Sequence, residues 1–291
     1  MTQRNAYFLL AVTGSILIFW TPLRELLTFS LHDDTYSYIP LIPLISVCLI
    51  YLERKRIFRD VRYGRGGGLA LILCAVALFS FGKRHTAVLT QGGFPPLTIL
   101  SIVVLWSGIF MLCYGRQALQ SALFPMLFLI LMIPFPVWLH GESVSVLRKG
   151  SAHAAALMLK LLGVPVYQEG LKLVLPRINI DVEEQCSSIR SSLALFITAL
   201  LISHLFLRSI WSKLCACGAV FPITIFKNGL RIVTLSFLLV RPRFSSFTTT
   251  LHKHAGIPFS LLAIALLLPI IWALRQLENR AGKNIPPPIN L

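Results

Sequence analysis

Three residues far apart in the chain, Cys186, Arg231 and His252, form a set suited to acyl transfer. A thiol attacks a carbonyl, an imidazole takes the thiol proton and returns it to a leaving amine, and a guanidinium stabilises the oxyanion between those steps. Cys186 sits in Asp181-Val-Glu-Glu-Gln-Cys-Ser-Ser-Ile-Arg190, a polar decapeptide that opens onto a long apolar run starting near Ser191. The first amides of a helix lack internal partners, and they and the dipole favour negative charge, which raises a thiolate fraction. Arg190 adds a positive charge about one turn on. Arg231 stands in Asn228-Gly-Leu-Arg231-Ile-Val, an arginine among apolar residues. Within a membrane such a cation is expensive and reads as functional. Asn228, Glu184, Lys227 and His254 are the polar neighbours able to support these groups or touch substrate. The plainer alternatives are a small cysteine in a polar linker, a snorkelling Arg231, and a solvated basic patch of His252, Lys253 and His254.

The elements that must position these groups are membrane helices. Of 291 residues, 56% are hydrophobic and 13% charged, against about 25% charged in soluble domains. Mean hydropathy is +0.76. The net charge of +16 lies at the ends of apolar runs, as juxtamembrane charge does, and no nucleic-acid motif accompanies it. The six cysteines show neither a disulfide framework nor zinc spacing, since Cys215-Ala-Cys217 lacks the two-residue spacer and partner histidines. No metal and no organic cofactor is implied. The first apolar run lacks a cleavage signature and reads as a retained span.

A span needs about 20 apolar residues. The pattern predicts an all-α integral membrane protein forming one domain over 1–291, with about eight spans near 6–22, 36–52, 66–82, 97–114, 118–138, 188–207, 214–240 and 256–274. Residues 140–163 instead recur in an amphipathic rhythm, with Val144, Leu147, Ala154, Leu157, Met158 and Leu161 on one side, and predict a helix lying on the outer surface. Residues 163–180 predict a short β-hairpin turning near Glu169-Gly170. The loop 53–65, with Arg54, Lys55, Arg56, Arg59, Arg62 and Arg65, marks the cytoplasmic side. Both termini are then cytoplasmic, and counting spans brings Cys186, Arg231 and His252 to the same outer face.

These motifs resemble the exosortase/archaeosortase family of membrane cysteine transpeptidases, over nearly the whole chain. The resemblance rests on Cys186-Ser-Ser-Ile-Arg190, on Asn228-Gly-Leu-Arg231 and on His252-Lys-His-Ala-Gly256, in that order. The lead-in Leu162-Gly-Val-Pro-Val-Tyr-Gln-Glu-Gly170 with Leu175-Pro176 is similar too, as is Tyr36-Ser-Tyr38 with Pro40. Ser188 departs from the family's glycine at that position. The spacing to Gly256 favours His252 over His254. The resemblance implies Cys186 as nucleophile, His252 as general acid/base and Arg231 as oxyanion stabiliser. The implied partners are the bilayer, secreted proteins with a tripartite C-terminal sorting signal (a short motif such as Pro-Glu-Pro, a membrane helix and a basic tail), and an acceptor on the membrane or an extracellular polymer. Location in a bacterial inner membrane, with chemistry at the periplasmic face and a link to exopolysaccharide, is implied likewise. The reading from another class is a transporter or polysaccharide-export component without peptidase activity, which predicts polar groups spread through the membrane midplane.

Overall fold

The computed structural model describes residues 2–84, 96–134, 137–176, 179–181, 189–239 and 256–281. It is mostly helical and divides into two compact units, Met1–Leu139 and His140–Leu291.

In the first unit, α1 (Thr2–Ile18) and α2 (Trp20–His32) meet at a 74° bend. Pro22 explains the break: a proline cannot donate to the carbonyl four residues back, here Ile18, and its ring clashes there. The span expected over 6–22 therefore stops at Ile18. A short 3₁₀ turn, Asp34–Tyr36, leads to α3 (Leu41–Leu52) and α4 (Arg54–Ile57). At 12 residues, α3 is about 18 Å long and falls short of the span expected over 36–52. Next come α5 (Arg65–Arg84) and α6 (Pro96–Tyr114), which match their expected spans. They pack antiparallel at close range. A Cβ on Gly68 would lie 2.8 Å from the Leu112 backbone, and one on Gly108 would lie 3.1 Å from Ile72 N.

The fifth expected span, 118–138, is instead a chain of short pieces: α7 (Arg116–Ser121), α8 (Leu123–Phe128) and a 3₁₀ turn at Leu129–Met132. The break repeats the logic of Pro22, because Pro125 follows the end of α7 at Ser121 by four residues. The Pro125 carbonyl accepts from Ser46 Oγ at 2.8 Å in a buried bond. The N-terminal end of α1 is tied to the basic loop: Arg4 Nη1 donates to Val61 O at 3.1 Å and its guanidinium lies over the Tyr63 ring.

The second unit opens with α9 (Val137–Leu161), the expected amphipathic helix. Gly163, with φ +74°, stops it. Val164 N donates to Leu159 O and Gly163 N to Lys160 O, the paired bonds of a Schellman cap. The buried face of α9 runs Val144, Leu147, Ala152, Ala155, Ala156, Leu159. The expected face is thus corrected at its far end, where Leu157 and Leu161 are 60% and 79% exposed. Small residues win the inner face because the neighbouring backbone comes so near.

The hairpin appears as β1 (Tyr167–Glu169) and β2 (Lys172–Val174), turning through Gly170 at φ +61°. A third strand, β3 (Asn179–Asp181), joins antiparallel to β2 and was not foreseen. Then follow α10 (Ile189–Phe206), α11 (Ile210–Leu239) and α12 (Gly256–Arg280), each close to an expected span. Among the described residues five helices are long and apolar enough to cross a membrane, or six if α1 and α2 count as one bent span. The expected count of eight is not confirmed: α3 is short for a span, and the stretch 118–138 is divided into short pieces.

Candidate functional site

The site is built around α11. Thr224, Lys227, Asn228 and Arg231 recur at helical spacing on one face, and all are buried: Lys227 is 2% exposed, Asn228 0% and Arg231 9%. Three elements cover that part of the helix. From α9 the approach is very close: a Cβ on Gly229 would stand 2.9 Å from Ala154 Cβ and 3.2 Å from Ala155 N, and one on Gly150 would touch the Ile225 side chain. The sheet supplies Leu173, which shares an apolar cluster with Ala155, Leu159, Ile232 and Val233, and with the partly buried Ile180 of β3. From α10, Ser191 Oγ accepts a hydrogen bond from Lys227 Nζ.

The three last helices are held in register at their other end. Glu278 of α12 accepts from Arg208 N and Ser209 N at 2.9 and 2.8 Å, where α10 turns into α11. Counting up from that tie at 1.5 Å per residue, Ser191 and Lys227 are both about 26 Å away, in agreement with their bond. On the same count Arg231 lies about 32 Å up α11 and the start of α12 about 33 Å up its own helix. A shared core of Leu195, Ala199, Val220, Ile223, Ala263 and Leu267 packs these helices together. The first turns of α10 and α12 and the Lys227–Arg231 stretch therefore occupy one end of the bundle.

Cys186, Glu184, Ser188, His252 and His254 lie outside the described residues. Their flanks are described. Cys186 follows β3 by five residues and precedes α10 by three, and His252 precedes α12 by four. Both β3, through its sheet, and α10, through Ser191, are seated on α11. Arg190 is exposed in the first turn of α10, and Asn228 is enclosed one turn from Arg231. The sequence reading missed Ser191 as the partner of Lys227. It also missed Thr224 and Ser151, whose buried hydroxyls have no hydrogen-bond partner among the described residues. Thr224 was findable, since it continues the polar stripe by one turn; Ser151 comes from a different helix and carried no such signal.

Apolar spanning helices around a buried stripe of cations define an integral membrane protein with a polar site at one end of a helical bundle. Residues 30–269 match the family model of the transmembrane exosortases, and the chain belongs to that family. No curated protein and no solved structure matches it.

Proposed function

We propose that the chain is a membrane cysteine transpeptidase that cuts a C-terminal sorting signal of secreted proteins and passes the protein to an acceptor. The observation that supports this most is the buried Arg231, level with the starts of the two helices that Cys186 and His252 precede. Three residues of chain reach at most about 11 Å, so the thiol's covalent tether to α10 leaves it within range of that end of the bundle.

Cys186 gives its proton to His252, and the thiolate attacks the scissile carbonyl. Arg231 holds the oxyanion by charge-assisted hydrogen bonds. The tetrahedral adduct collapses, the C–N bond breaks, and His252 returns the proton to the leaving amine. A thioester remains on Cys186. An acceptor nucleophile then attacks the thioester carbonyl while His252 takes its proton, and the thiol is regenerated. Asn228 and Glu184 orient these groups, and Arg190 and Lys227 contact substrate; of the two histidines, His252 and not His254 is assigned the proton transfers. A substrate tethered by its own helix arrives in the membrane plane, and the reaction runs at the periplasmic boundary of the inner membrane, where water and acceptors have access. The acceptor belongs to the membrane or to a surface polysaccharide.

The test is processing of a secreted reporter carrying a candidate signal from the same genome, compared between wild type and Cys186→Ala at equal insertion. The mass shift is expected to vanish in the variant. Unchanged processing in Cys186→Ala would remove the nucleophile and leave no reason to prefer an enzyme over an export component.

A further inference from the structure

We propose that the cleft along α2 binds the headgroup of a membrane phospholipid that carries a primary amine, with its phosphate at Arg24 and its ammonium at Glu25. The site lies within the first unit and asks nothing of the transpeptidase chemistry.

The chain before α2 fixes where that helix lies. The start of α1 is tied to the basic loop by the Arg4–Val61 bond. Its 17 residues rise about 25 Å, most of the way across a hydrocarbon core of about 30 Å. The 74° bend then turns α2 nearly square to α1, along the boundary opposite the basic loop. The surface of α2 agrees. Leu26 and Ser30 are buried, while Trp20, Leu27 and Leu31 form an exposed apolar strip on one face. Arg24 is next round the axis, about 20° from Leu31, and it opens an exposed polar strip with Thr21, Thr28, His32 and Glu25. Neighbouring apolar and polar strips suit the interface between acyl chains and water. A crossing helix would instead hold Arg24 and Glu25 in hydrocarbon, at high cost.

A cleft of about 700 Å³ follows the polar strip, with Trp20, Arg24, Glu25, Thr28 and His32 in its lining. That volume is in the range of small-molecule sites. The hydrogen bonds already made decide what the cleft still offers. Thr28 Oγ1 donates to Arg24 O at 2.8 Å, so its free capacity is as an acceptor. His32 Nδ1 donates to Thr28 O at 2.8 Å, since a carbonyl only accepts, and the neutral ring then presents Nε2 as an acceptor. Glu25 adds a carboxylate. Three acceptor groups lining one cleft match the three N–H donors of a primary ammonium. Donors are concentrated at Arg24, whose planar fork suits a phosphate. A cation and an anion side by side fit a zwitterion, whereas Glu25 repels a headgroup that brings a phosphate alone. The apolar strip points to a lipid as the source: Trp20 and Leu31 flank Arg24, where acyl chains would continue from the phosphate, and a soluble phosphoamine gains nothing from them.

The experiment is native mass spectrometry on the full chain in detergent. Phosphatidylethanolamine, its N-methyl and N,N-dimethyl forms, phosphatidylcholine and phosphatidylglycerol are added in turn. Each methyl removes one N–H donor. In the wild type, retention is expected to fall along that series and to be about tenfold weaker at phosphatidylcholine, the scale of a charge-assisted hydrogen bond. Phosphatidylglycerol should be held no better than phosphatidylcholine. Glu25→Gln should bring phosphatidylethanolamine and phosphatidylcholine within about twofold of each other, and Arg24→Gln should weaken every phospholipid. The wild-type methyl series decides the matter alone if either variant does not insert. Equal retention of phosphatidylethanolamine and phosphatidylcholine by the wild type overturns the ammonium site. A methyl-dependent preference that survives both substitutions overturns its place on α2. Displacement of the lipid by equimolar glycerophosphoethanolamine, which has no acyl chains, overturns the lipid as occupant.

Discussion

At the scale of single residues, Arg231 carries the sharpest expectation. It is the one member of the proposed triad that lies among the described residues, and it is buried at 9% exposure. An arginine presents two parallel donors in a fixed fork, whereas a lysine is a point charge on a flexible stem. Arg231→Ala should lower processing of the reporter about 100- to 1,000-fold at normal insertion, the scale found when one oxyanion donor is removed. Arg231→Lys should recover part of that loss, because the charge persists but the fork does not. A single-turnover rate in detergent micelles or nanodiscs checks both. Retention of full rate in Arg231→Ala would move Arg231 out of the chemistry. The sequence made this residue legible because an arginine among Leu, Ile and Val has few structural uses. It left Ser191 illegible: a serine at the start of a helix reads as a cap, and only the neighbouring helix shows that its hydroxyl receives Lys227.

At the scale of elements, the seam of α9 on α11 holds the site in place. Gly229 lies midway between Lys227 and Arg231, and α9 approaches it so closely that any added carbon meets Ala154 and the backbone of Ala155. Larger side chains must push the two helices apart. Gly229→Val is therefore expected to destabilise the protein by about 1–3 kcal/mol, the usual effect of overpacking, seen as a lower thermal midpoint in detergent. Gly218 makes a control on the same helix, since a Cβ there meets nothing within 4 Å, and Gly218→Ala should hold or raise the midpoint. A Gly229→Val protein as stable as wild type would refute the tight seam. Helix rhythm and glycine punctuation made α9 and the hairpin readable, down to the turn at Gly170. Two things were hidden. Apolarity alone does not reveal that Pro22 and Pro125 each end a helix four residues earlier, since each sits in a run hydrophobic enough to span. The third strand is three residues long and exists through pairing with β2, which local pattern cannot express.

At the scale of the whole molecule, the proposed chemistry requires one particular face of the membrane. Within the first unit, the Arg4–Val61 bond puts the start of α1 beside the basic loop between α4 and α5, so those two segments share a side. The density of arginine and lysine in that loop argues for the cytoplasm, because positive residues in short loops resist translocation. The proposed chemistry needs the opposite side for β1–β2 and for the starts of α10 and α12. Two exposed positions report the two sides: Arg59 in the basic loop and Glu169 at the hairpin turn. Placed singly as Arg59→Cys and Glu169→Cys in a chain whose native cysteines are replaced by alanine, they are read with a membrane-impermeant maleimide. In intact spheroplasts Glu169→Cys should label and Arg59→Cys should not; after permeabilisation both should. The reverse pattern would turn the site toward the cytoplasm, where a secreted substrate that has already crossed the membrane could not reach it, and the sorting reaction would then have to be abandoned even with the cysteine chemistry intact.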